Sequence, residues 1–252
     1  MMPEITITQA FLAFLAALFG ETLGVFGGGG FLIQPALLAI GVPPHLVVSH
    51  DASSTAGASA TSYYVFNKHK KVKNGLLIWW LPGVIIGPFL GIALLSVLSP
   101  AILEKIIIIV SLMGAVLILF NKKDWGGTQS AMPRQWKLLS LVSGLAFGFW
   151  AGFSGMGAGT ISLMILVFLF GQTIKEAIAT KTLIHLITES ITAIVFLLKG
   201  WLVWQLFLPM FVGCLLAGYL KAHIILHLPE KLLKTLFLIS VFITAGIALV
   251  RN

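Results

Sequence analysis

Several apolar stretches in this chain reach the length a membrane helix needs, and they do not form the short alternating segments of a membrane β-barrel. The first run, Ile7 to Ile40, is interrupted by Gly24-Val-Phe-Gly-Gly-Gly-Gly30. Each glycine costs about 1 kcal/mol relative to alanine in a helix. A helix broken in lipid also leaves backbone groups unpaired unless protein or a water-filled cavity surrounds the break. The pattern predicts a helix over 8–24, a break, and a short helix over 31–40. Gly41-Val-Pro-Pro44 is a turn. A helix over 45–66 has a polar first half: His45, Ser49, His50, Asp51, Ser53, Ser54 and Thr55. A basic loop over 67–75 follows. Spans over 76–97 and 101–120 complete this half, the former carrying Pro82, Gly83, Gly87, Pro88 and Gly91. Small residues of this kind mark close helix packing in membranes.

A polar linker over 121–137 then separates two similar halves. An apolar helix over 138–153 leads to a second glycine-rich break, Gly152-Phe-Ser-Gly-Met-Gly-Ala-Gly159. A short segment over 160–170 ends at Gly171. A helix over 174–198 again starts polar, with Thr180, Lys181, Thr182, His185, Thr188, Glu189 and Ser190. Spans over 205–220 and 231–250 close the chain, the former with Pro209, Gly213 and Gly218. Gly28 and Gly30 align with Gly157 and Gly159, Gly41 with Gly171, Asp51 with Lys181, and Pro82 and Gly91 with Pro209 and Gly218, at offsets of 127 to 130 residues. A broken helix, a polar helix and a Pro/Gly helix recurring in that order indicate an internal duplication. The organisation expected is a first transmembrane repeat over 1–120, a cytoplasmic linker over 121–137 and a second repeat over 138–252.

Composition agrees. The chain is 58% hydrophobic and 10% charged, with a mean hydropathy of +1.04, where soluble domains carry about 25% charged residues. The formal charge of +8 lies mostly in loops, so it reads as topology and not as nucleic-acid binding. The one cysteine, Cys214, rules out an internal disulfide and argues against dithiol chemistry. Met1-Met-Pro-Glu4 has no basic region, so the first apolar run is expected to stay uncleaved.

Charge also orients the halves. Loop 67–75 carries four lysines and the linker is basic. In the second half the excess shifts to 221–234, with Lys221, Lys231 and Lys234, while 199–204 carries Lys199. Under the positive-inside rule the second repeat is inserted upside down. Inversion needs an odd number of crossings per half. Each glycine-broken pair must then be a re-entrant hairpin beside three transmembrane helices; the alternative is a parallel repeat whose first span is an ordinary one. The fold class expected is an all-α polytopic membrane protein of two inverted-topology repeats, multi-pass in a bacterial inner membrane.

The functional reading starts from the breaks. Two hairpin tips meeting near the midplane would aim helix N-termini at one cavity, an anion site needing no charged side chain. Substrate-binding candidates are Gly27, Gly28, Gly29, Gly30, Phe31, Gln34, Ser54, Gly155, Gly157, Gly159, Thr160, Lys181 and His185. Ionisable groups within a membrane mark pathways or relays, which makes Glu21, His50, Asp51 and Glu189 candidates for proton or ion coupling. Lys181 is either an anion partner or half of an architectural ion pair with Asp51. Ser154 and Ser162 could donate to a ligand. Trp79, Trp80, Trp201 and Trp204 read as interfacial belt residues. No metal-ligand set, nucleophile elbow or phosphate-loop lysine is present, so no enzyme activity and no cofactor is expected.

The duplicated clusters, each opening a short apolar segment before a glycine turn and a polar-start helix, resemble the sulfite exporter TauE/SafE family over nearly the whole chain. Gly152 to Gly159 follows that family's G-x-x-G-x-G-G-G pattern except at Ala158. Gly28-Gly29-Gly30 followed by Pro35 matches too, with Phe26 in place of a glycine and Met164 standing where the first copy has Pro35. The resemblance implies transport of small anions such as sulfite and organosulfonates. Uptake of a carboxylate with protons and a non-transporting assembly factor are the alternatives. The partners implied are a small anion and the lipid bilayer, and a homodimer is compatible with the sequence.

Overall fold

The computed structural model describes residues 5–24, 29–69, 71–72, 77–97, 99, 102, 134–229, 232 and 235. Every element among them is helical. They are α1 (Ile7–Leu23), α2 (Gly30–Ala39), α3 (Pro44–Lys68), a 3-10 turn (Leu77–Trp79), α4 (Leu81–Leu95), α5 (Arg134–Phe153), α6 (Ala158–Met164) running into a π-helix (Ile165–Leu169), α7 (Ile174–Leu198) and α8 (Trp204–His227). Three of the helical segments, Leu77–Leu95, Ile174–Leu198 and Trp204–His227, are long and apolar enough to cross a membrane. The spans expected at 101–120 and 231–250, and the break residues Gly27 and Gly28, lie outside the described residues. The described end of the linker, residues 134–137, belongs to α5.

Capping boxes start α1 and α7. Thr6 and Gln9, and likewise Thr173 and Glu176, exchange side-chain and backbone hydrogen bonds, satisfying donors a helix start leaves open.

Contacts set the helix directions. Gln9 Nε2 donates to Ile40 O at 2.8 Å and Gly29 N–H donates to Glu21 at 2.7 Å, so α1 and α2 form an antiparallel hairpin. Gly213 lies at Phe14 and Lys221 at Glu21, so α8 runs parallel to α1. His50 meets Val203 and Ser62 donates to Gly218 O, so α8 also runs parallel to α3. Gly83 lies at Leu141 and Leu145 and Gly91 at Phe149 and Phe153, which makes α4 and α5 parallel. Ser59 bonds Glu189 and Thr192 bonds Ala52 O, which makes α3 and α7 antiparallel.

The α4–α5 seam is built from two glycine rows, Gly83, Gly87 and Gly91 facing Gly144, Gly148 and Gly152. A Cβ added at Gly87 would overlap Phe149 N, and one at Gly152 would overlap Pro88 O. The backbones therefore touch. In lipid, where apolar burial drives helices together only weakly, such contact supplies the cohesion.

Two expectations need correction. Trp80 is not an interfacial belt residue. It is fully buried, with ring centroids 5.5 Å from Phe147 and 5.6 Å from Phe170, whereas Trp79 and Trp204 are about half exposed. The span expected to end at residue 220 continues to His227. Lys221 therefore belongs to α8 and not to a basic loop.

Candidate functional site

Between the two halves lies a cavity of about 50 Å³, room for a few water molecules or one small oxyanion. Gly24, Gly29 and Gly30 of the first break line it, with Gly155, Ala158 and Gly159 of the second. One face of α3 supplies Asp51, Thr55, Ser59 and Ser62, and one face of α7 supplies Lys181, His185, Glu189 and Thr192. Each set steps by three or four residues, so it forms a single stripe along its helix. The two stripes correspond residue for residue at an offset of 130. Asp51 matches Lys181, Thr55 matches His185, Ser59 matches Glu189 and Ser62 matches Thr192. Ser59 Oγ donates to Glu189 Oε2 at 2.6 Å, joining two matched positions directly.

The first break is held by charge. Glu21, 4% exposed, accepts Gly29 N–H on Oε1 at 2.7 Å and the Lys221 ammonium on Oε2 at 2.6 Å. Short bonds to an ionised acceptor are the strong class of hydrogen bond. The tip admits no side chain, since a Cβ on Gly29 would sit 2.6 Å from Glu21 Oε1 and one on Gly30 2.7 Å from Asp51 Oδ2. Gln34 Nε2 donates to Asp51 Oδ2 at 2.7 Å and to Ser154 O at 3.0 Å, tying α2 and α3 to the second break. Asp51 Oδ1 and Ser154 Oγ have no hydrogen-bond partner among the described residues.

The second break is held by neutral donors and a histidine. Gly157, with φ 75°, turns the chain into α6. Trp150 Nε1 donates to Met156 O at 2.9 Å across the turn. Ser162 Oγ lies 2.9 Å from His185 Nε2, and His185 Nδ1 lies 3.0 Å from Glu189 Oε1. A continuous line of hydrogen bonds thus runs from α6 through α7 to Ser59 on α3.

Of the candidates read from the sequence, Gly29, Gly30, Gly155, Gly159, Lys181, His185, Glu21, Asp51 and Glu189 line the cavity. Phe31, Gln34, Ser54, Gly157, Thr160 and His50 do not. Phe31 packs against the apolar core. Ser54 bonds Asp51 O and accepts from Cys214. His50 is fully buried and bridges Leu46 O at 2.7 Å and Val203 N–H at 2.9 Å, fastening α3 to the start of α8. The sequence reading missed Lys221, Thr55, Ser59, Ser62 and Thr192. The stripe from Asp51 at steps of three and four reaches Thr55, Ser59 and Ser62, so periodicity alone carries that signal. Ala222, Ile224, Ile225 and Leu226, which carry the apolar pattern past Lys221, supply the other.

The family model described as sulfite exporter TauE/SafE matches residues 11–248. The chain belongs to the sulfite exporter TauE/SafE family. Curated relatives agree with this placement. A "Probable membrane transporter protein" of Haemophilus influenzae is 28% identical over 220 residues, covering 86% of this chain and 85% of that protein. "Probable membrane transporter protein YfcA" of Escherichia coli K12 is 26% identical over 230 residues, covering 90% and 84%. "Probable membrane transporter protein ORF9" of a Sinorhizobium species is 27% identical over 232 residues, covering 91% and 88%. No solved structure matches the chain at a significant level. Membership of this transporter family agrees with the apolar outer faces of α1, α4, α5 and α8, where Phe11, Ile86, Phe89, Val142, Leu208 and Leu216 are exposed.

Proposed function

We propose that this TauE/SafE family member carries small oxyanions, sulfite and organosulfonates, across the bacterial inner membrane by alternating access between two inverted repeats. One observation carries the reading: glycines of both helix breaks line the same cavity, together with Lys181 and Lys221. Helix directions support the inverted repeat. α3 runs opposite to α7, and because Trp80 meets Phe170 and Lys199 meets Ser96, α4 lies parallel to α7, so α4 runs opposite to α8 and α5 opposite to α1. The α1–α2 hairpin supports a re-entrant first element, because its two arms enter and leave on one side.

In this reading the anion sits between the breaks, with the positive end of α2 and the two lysines about it. Rocking of one repeat against the other exposes the site to each side in turn. Glu21, Asp51 and Glu189 offer sites for a coupling proton or cation. An anion leaving a negative-inside cell is driven outward by about 2.3 kcal/mol per charge per 100 mV, so export needs no coupling ion, whereas uptake against that potential does. Proteoliposomes should show saturable flux of sulfite or an organosulfonate, and Gly29→Leu should abolish it. The reading fails if neither anion moves, or if the leucine variant transports normally. Flux that never saturates makes the protein a channel.

A further inference from the structure

We propose that the Glu21 carboxylate is a tethered stand-in for the transported anion, that Lys221 is the substrate ligand it occupies, and that substrate loading therefore takes up one proton. This rests on the anion-transport reading above. Glu21 holds the two kinds of donor that recognise an oxyanion at a helix start, the backbone N–H of Gly29 at 2.7 Å and an ammonium group at 2.6 Å. Both charged side chains are nearly buried, at 12% and 5% exposure, and both line the cavity. An incoming anion that engages Lys221 and the α2 N-terminus must displace this carboxylate.

The displaced carboxylate cannot remain charged and unpaired in a buried site. The groups facing it from the packed elements are Lys221 on α8, Asp51 on α3, and Lys181, His185 and Glu189 on α7. Asp51 and Glu189 bring further negative charge, and Asp51 Oδ1 already lacks a donor among the described residues. Glu21 therefore takes a proton from a hydronium ion that reaches it from the bulk through cavity water, and that hydronium is left as water. One O–H bond forms on the carboxyl group, no electrons are exchanged, and one anion and one proton enter together. For a monoanion the loaded cavity keeps the charge of the empty one. Release of the anion returns Glu21 to Lys221 and re-closes the tip on Gly29, so occupancy and hairpin position are linked through one side chain.

The test uses the full chain in proteoliposomes with a trapped pH dye, a clamped potential and an inward gradient of methanesulfonate, which keeps one charge throughout, with sulfite in parallel. The wild type should acidify the lumen as the anion enters. Glu21→Gln, which mimics the protonated acid, should still carry the anion while proton movement per anion falls to background. Lys221→Gln should lower anion affinity by about thirtyfold or more, the loss expected when one partner of a desolvated charge pair is removed. Because that variant strands Glu21, E21Q/K221Q is made as a folding control and should show the same low affinity. Proton coupling that survives in a folded E21Q, or normal affinity in the double variant, overturns the inference and leaves anion transport standing. Loss of all anion flux in a folded E21Q overturns it as well. If the wild type moves neither anion, the transport reading falls and the inference with it.

Discussion

The α1–α8 and α4–α5 seams each join a helix before residue 100 to a helix after residue 130, yet they are held together differently. On the α4–α5 seam Gly83, Gly87 and Gly91 meet Gly144, Gly148 and Gly152, and backbone touches backbone. On the other seam α8 turns Cys214 and Gly218 away, toward Ser54, Ala58 and Thr61 of α3. Its approach is close at Gly213, where a Cβ would lie 2.7 Å from Phe14 O. Its distinguishing contact is the Glu21–Lys221 pair. Glu21 corresponds to Ala151, which lines the same cavity without charge. One seam is thus fastened by backbone packing, the other partly by a buried ion pair. The difference lies at one pair of positions, Glu21 and Ala151.

The strongest way to break this comparison is Lys221→Ala. It leaves Glu21 buried without its cation and should cost about 3–5 kcal/mol of stability. Thermal unfolding in detergent measures the loss, and adding Glu21→Gln should restore most of it. A charge pair that contributed only packing would show no such rescue. Next comes Gly87→Ala on the other seam. Its methyl group meets backbone on the facing helix, so the cost should lie at the upper end of about 1–3 kcal/mol, with no rescue by neutralising Glu21. Gln34→Ala removes the donor to Asp51 and Ser154 and should cost about 1–3 kcal/mol, seen in the same unfolding measurement. Smallest is Trp150→Phe, which deletes the bond to Met156 O. It should cost about 1 kcal/mol and leave the proton-to-anion ratio unchanged, because the second break holds no carboxylate in place of the substrate.

Much of the site was legible in the chain. The glycine breaks, Asp51, Lys181, His185 and Glu189 stood out because each is costly in a membrane helix unless something surrounds it. Lys221 was hidden by its own ambiguity, since a lysine near the end of an apolar run reads equally as a loop signal or a buried partner. His50 misled in the opposite direction. Its burial against Val203 depends on a loop 153 residues further on, which no local pattern reveals.

By itself the sequence determined the helical membrane class and the two glycine-rich breaks. Those follow from hydropathy, spacing and backbone cost, which act within one helix length. Only the tertiary structure decided that the Asp51 and Lys181 stripes face one another across a single cavity, that Trp80 is core and not belt, and that Glu21 holds Lys221. Each of these depends on which residue from the other half arrives opposite. A carboxylate in an apolar run signals that a partner must exist, but the chain's path through space selects which one.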